Sequence, residues 1–199
     1  MGDQDPPLEW VQSGGRRADQ FLVRVRGHLG GALALLVAVA VLAPVAGART
    51  GQAARANVKL QSGILQELNA LRASHHLHTI TLSPSLTTAA AAHTKDMAAH
   101  GYFAHESQNG AEFWKRVKQY YGSTGYGYWS VGENLLWSSP DVDPARAIKL
   151  WLASPEHRKN MLNPRWREIG ISAVHVSAAP GVYGDHEVTI VTTDFGVRR

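Results

Sequence analysis

The last third of the chain changes its periodicity, and that change limits the fold more than any other feature. Residues 168–176 (EIGISAVHV) and 187–195 (EVTIVTTDF) alternate or run apolar with β-branched side chains, which is strand chemistry. Pro180-Gly181 and Gly184-Asp185 separate the two runs, so an antiparallel pair is expected, with residues 131–135 as a candidate third strand. Upstream the period is helical. Residues 58–74 place Leu60, Ile64, Leu65, Leu68 and Leu71 on one face. Ser83-Pro84 opens a second helix that runs to about His100 and ends at Gly101, with Leu86, Ala90, His93 and Met97 on one face. Residues 111–121 predict a shorter helix with Phe113, Trp114 and Val117 turned inward. Asp143-Pro144 starts another, burying Ile148, Trp151 and Leu152. Ser154 caps a last short helix with Pro155 at its first position and Glu156 in its first turn, where a negative charge suits the helix dipole. Helices first and strands last indicate an α+β domain rather than a βαβ repeat.

The N-terminal part differs in composition. Residues 1–28 are polar and carry Arg16, Arg17, Arg24 and Arg26; residues 29–48 (LGGALALLVAVAVLAPVAGA) carry no charge. A basic segment, an apolar run and Ala46-Gly47-Ala48 predict a secretory signal cleaved after Ala48. The alternative is an uncleaved anchor, since twenty uncharged residues reach across a bilayer core. Either way the arginines stay in the cytoplasm and the remainder is extracytoplasmic, secreted or held to the membrane through residues 29–48. The expected organisation is therefore a leader over 1–48, a short linker over 49–57 and one domain over 58–199.

The leader balances four arginines against Asp3, Asp5, Glu9 and Asp19, so the formal +4 of the chain belongs to the domain. That mild excess favours anionic surfaces such as cell-wall polymers or lipid headgroups. The basic residues are scattered, without a stripe or a nucleic-acid module, and no nucleic-acid partner is expected. The absence of cysteine excludes disulfides, thiolate metal sites and a cysteine nucleophile. HExxH, GxSxG and P-loop signatures are also absent. His75, His76 and His78 are read as a solvated loop, and His93 as a hydrogen-bonded histidine at the edge of the core.

Three separated segments carry the remaining chemistry: Phe103-Ala104-His105-Glu106-Ser107, Gly132-Glu133-Asn134 and Ser154-Pro155-Glu156-His157-Arg158-Lys159-Asn160-Met161-Leu162. Two imidazoles and one carboxylate brought together suit a zinc ion with an open position, or equally a metal-free hydrogen-bond network. Together with Leu68-Asn69-Ala70-Leu71-Arg72, Ile169-Gly170-Ile171 and Thr193-Asp194-Phe195-Gly196, these segments stand in the order seen in the CAP superfamily. That group comprises the cysteine-rich secretory proteins, antigen 5 and the pathogenesis-related proteins, also called SCP-like extracellular domains. The chain resembles a bacterial, cysteine-free member over about residues 60–195.

The resemblance implies an α-β-α sandwich of the CAP type, a small antiparallel sheet between helices, with a central cleft. By that likeness His105, Glu133 and His157 occupy the cleft, with Glu133 the candidate acid/base and His105 and His157 candidate ligands for zinc or another divalent cation. The fourth, acidic position of the family is Ser154 here, and Glu156 or Glu106 are candidates to replace it. Three functions remain open: a binding or effector module for a lipid, peptide or wall polymer; a metal-dependent hydrolase of peptide or wall substrates; and a structural extracytoplasmic domain. The aromatic run from Tyr120 to Trp129 is a candidate contact surface.

Overall fold

A computed structural model describes residues 54–199; the expected leader lies outside the described residues. Helix α1 spans Val58–Ser74, and Asn57 caps it by accepting from the Leu60 N–H at 3.0 Å. Helix α2 spans Pro84–His100 and ends at Gly101, whose φ of 67° is left-handed. An added Cβ at Gly101 would also meet the Pro180 carbonyl at 2.7 Å, so both backbone and space demand glycine there. Helix α3 spans Phe113–Tyr120, α4 spans Pro144–Ala153 and α5 spans Pro155–Met161. Asp143 caps α4 through the Arg146 N–H at 2.8 Å. Ser83 and Ser154 stand at the cap positions of α2 and α5, yet neither side chain makes a cap hydrogen bond. Proline at the first position already removes one orphan N–H and presets φ, which lessens the need for a side-chain cap.

Strands β3 (Trp129–Ser138), β4 (Glu168–Ala179) and β5 (His186–Arg198) form the antiparallel core of the sheet. Two short strands complete it. β1 (Arg55–Ala56) pairs antiparallel with β4, and β2 (Thr81–Leu82) pairs parallel with it. The last residues of the expected linker are thus part of the sheet. The strand order is β1-β4-β5-β3, which leaves β3 at an edge.

Alternation along the strands feeds two cores. Leu136, Ile169, Ile171, Ala173, Val191, Phe195 and Val197 face α1 and α4, where Leu60, Ile64, Leu68, Ile148 and Trp151 are buried. On the other face, Leu135, Trp137, Val174, Val188 and Ile190 pack with Met97 and Ala98 of α2. The result is the expected α+β arrangement, a sheet between helical layers. The layers approach closely at Gly170: an added Cβ would lie 2.0 Å from the Leu86 carbonyl carbon of α2.

One inward residue of α1 is not apolar. Arg72 is fully buried, donating through Nε to the His78 carbonyl at 2.9 Å and through Nη1 to the carbonyls of Met161 (2.6 Å) and Asn163 (3.1 Å). It thereby satisfies carbonyls at the end of α5 and fixes where that helix ends against α1.

Candidate functional site

The register of β3 against β5 sets the centre of the site. Glu133 lies directly opposite Asp194, while Asn134 faces the other side of the sheet. Glu133 is buried, with a side chain wholly out of water. Its Oε1 lies 2.8 Å from His105 Nδ1 and its Oε2 lies 2.5 Å from Arg116 Nη2. Arg116 projects inward from α3 and uses Nη1 for the His105 carbonyl (3.1 Å) and Ser107 Oγ (3.0 Å). The guanidinium therefore holds the loop that carries His105 as well as the carboxylate beneath it.

Burial alone would raise the pKa of Glu133, but the hydrogen bond from His105 and the charge of Arg116 more than offset it, so the group is held below the ordinary carboxylate range. An ionised carboxylate only accepts, so Nδ1 of His105 donates to it and the ring's other nitrogen, Nε2, points away from Glu133. The His105 side chain is 17% exposed, which makes it the wet end of the cluster. Its ring lies 6.4 Å from that of Phe113. His93 sits behind, as expected of a core-edge histidine: its Nε2 pairs with the Ala104 carbonyl at 2.9 Å, and desolvation lowers its pKa.

His157 is the third residue of α5 and is buried. Its carbonyl accepts from Asn134 Nδ2 at 3.2 Å, and Asn160 Nδ2 reaches the Glu133 carbonyl and Asn134 Oδ1, both at 3.0 Å. Helix α5 thus lies along the open edge of β3, joined to it through Asn134 and the main chain of Glu133. Ser154 is half-buried at the junction of α4 and α5, and Glu156 and Glu106 are exposed. The buried carboxyl beside Glu133 is Asp194, not Glu156 or Glu106.

Two members of the cluster escape the sequence reading, Arg116 and Asp194. A signal existed for each. Arg116 falls between Phe113, Val117 and Tyr120 at helical spacing, a charge on an otherwise apolar stripe. Asp194 interrupts the β-branched run Thr189-Ile190-Val191-Thr192-Thr193. The expectation for Trp114 is corrected: it is 37% exposed, because α3 turns Arg116 rather than Trp114 toward Glu133. Its indole donates to Glu112 Oε2 at 2.7 Å, and Lys115 lies over the ring at 5.4 Å.

The Glu133 carboxylate is not open to the zinc ion suggested by sequence. Both oxygens of Glu133 are engaged, one by an imidazole N–H and one by a guanidinium, and a cation beside Arg116 meets like charge. Among the described residues, no three His, Asp or Glu side chains are grouped to hold a metal ion. The geometry instead makes Glu133 an orienting partner of His105.

The family model of the cysteine-rich secretory proteins, CAP, matches residues 65–192. The chain belongs to the CAP family. That match takes in α2, His105, Arg116, Glu133 and His157, so most of the cluster lies within the module that the family model describes. The Bacillus subtilis protein YkwD is 30% identical over 111 residues, covering 56% of this chain and 41% of that protein. The chain therefore spans about two fifths of the length of this curated relative. Among solved structures, an extracellular protein containing an SCP domain from Bacillus anthracis is 27% identical, with a TM-score of 0.54, covering 71% of this chain and 41% of the other. An outer surface protein from Borrelia burgdorferi is 16% identical, with a TM-score of 0.60, covering 74% of this chain and 99% of the other, a likeness of fold alone.

Proposed function

We propose that this CAP domain is a non-catalytic binding module of the cell envelope, placed outside the cytoplasmic membrane by the basic and apolar segments of residues 1–48. The observation that carries the reading is the state of Glu133. A general base needs a carboxylate oxygen within reach of substrate. Here both oxygens are buried and committed to His105 and Arg116. The cluster is better suited to hold the 101–112 loop and the edge of β3 in one arrangement than to move protons for a substrate.

The partner surface that fits best is the aromatic and basic rim at the end of β5. The Arg198 guanidinium lies 4.1 Å from the ring of Tyr121, which is buried beneath it, and 4.9 Å from that of Tyr126, and Arg199 lies 5.1 Å from that of Tyr128. Reciprocal main-chain hydrogen bonds between Tyr128 and Arg199, at 2.8 and 3.0 Å, tie the aromatic loop to the strand end. Tyr120 and Tyr126 remain open to solvent. Flat aromatic faces beside fixed cations suit an anionic wall polymer, and the net charge of the domain has the matching sign.

Co-sedimentation with purified anionic wall polymer tests the reading. Substitution of Tyr126 and Arg198 by alanine is expected to weaken binding while the melting temperature stays within a few degrees. Unchanged binding removes this rim. Zinc titration by calorimetry, with His157→Ala as control, and turnover of wall or peptide substrates that His105→Ala abolishes would instead favour the metal and hydrolase readings.

A further inference from the structure

We propose that Asp194 is a positioning residue that keeps its proton at neutral pH and donates it to Glu133, completing a four-residue network with His105 and Arg116. In an antiparallel pair, residues directly opposite share a face with their side chains in contact range. Asp194 stands opposite Glu133 on β3 and Gly170 on β4. It is fully buried, and among the described residues neither of its carboxyl oxygens meets a hydrogen-bond donor.

A bare carboxylate in that position is strongly unfavourable. Two carboxyls side by side hold one negative charge between them more readily than two. Their surroundings decide which one ionises. Glu133 has an imidazole N–H on one oxygen and a guanidinium on the other; Asp194 has neither. The proton therefore resides on Asp194, and the acceptor on the same face is the Glu133 carboxylate.

Among the described residues, the other elements packed here supply no competing cation. The α2 backbone at Leu86 and Thr87 covers the Gly170 side. Thr94 of α2 bonds to Ala90 and Thr192. His93 is neutralised by burial, and the charge of Arg116 is the one influence favouring ionisation of Asp194, against burial first and the Glu133 charge second, which drive its pKa well above the ordinary value. With Asp194 neutral, the charge of Glu133 is matched by that of Arg116. Ionised, Asp194 would add a second buried anion. The third donor on Glu133 fixes the rotation of its carboxylate and hence the ring of His105.

Carboxyl carbon NMR of the full chain across a pH series tests this. The resonance that Asp194→Asn removes is expected to hold the protonated position through neutral pH, while the exposed carboxyls ionise in the acid range. Ionisation together with those carboxyls overturns the proposal. A second readout is stability against pH. A group whose folded pKa is raised contributes stability below its unfolded pKa, and that contribution fades as pH rises through the folded value. Along that limb the wild type is expected to lose stability relative to Asp194→Asn, which retains a donor. Equal slopes overturn the proposal.

Discussion

The pair formed by Arg116 and Glu133 offers a direct measure of what the cluster contributes. Arg116→Met keeps most of the apolar stem and deletes the charge. The Arg116 side chain is 8% exposed and that of Glu133 0%, so water cannot readily replace the lost partner. Removing one half of a buried ion pair typically costs about 3–5 kcal/mol, because the other charge is left without compensation. The Nη1 bonds to the His105 carbonyl and Ser107 Oγ disappear with it, which also loosens the loop above. For a domain of this size, such a loss lowers Tm by about 6–20 °C. Urea denaturation followed by tryptophan fluorescence gives the free energy, and the Arg116→Met/Glu133→Leu double variant closes the cycle. The double variant is expected to recover most of the loss, since an apolar pair of similar volume avoids both desolvation penalties. The sign is also fixed by pH. Glu133 has a lowered folded pKa, so the stability from its pairing is present above the unfolded carboxylate value and fades as pH falls through the folded one. The cost of Arg116→Met therefore shrinks in acid. A loss below about 1 kcal/mol at neutral pH, the worth of an exposed pair, would refute the buried-clamp reasoning.

Two further outcomes are expected. Gly170→Ala drives a methyl into the α2 backbone at Leu86, with 2.0 Å to the nearest carbon; overpacking of about 1–3 kcal/mol or more should appear as a lowered denaturation midpoint with an unchanged m value. His93 is held neutral by burial, so its folded pKa is lowered and its contribution is present above the ordinary histidine value of 6.5 and lost as pH falls through the folded one. His93→Phe is expected to remove the upper part of the acid-side slope in a melting-temperature profile, and an unaltered profile would show that His93 titrates as it does in water.

The elements themselves were legible because their signals are local. Asp143 announces α4 through a side chain that reaches an N–H group three residues on. The proline of α2 and the left-handed glycine after it bracket that helix within two residue types. The two late runs of β-branched residues became β4 and β5, and the run with Glu133 became β3, as patterning predicts. Two sequence candidates, His105 and Glu133, meet in one hydrogen bond, whereas Ser154 gives no side-chain cap and Glu156 stays in solvent. Local chemistry misled at Trp114, where bulk and apolarity suggested the core. The inward position at α3 went to Arg116, because a buried carboxylate on another element was waiting for a cation.

Sequence alone determined the α+β class, the family, the glycine at the end of α2 and the histidine and glutamate that pair. Each of these depends on a spacing within a few residues or on a string of motifs in order. Only the tertiary structure decided that Asp194 stands opposite Glu133, that Arg116 closes the second oxygen and that α5 meets β3 through Asn134. Those contacts depend on strand register and on which face of a helix turns inward. Shifting a strand by one residue exchanges its faces, and no pattern read along a single strand records the register of its neighbour.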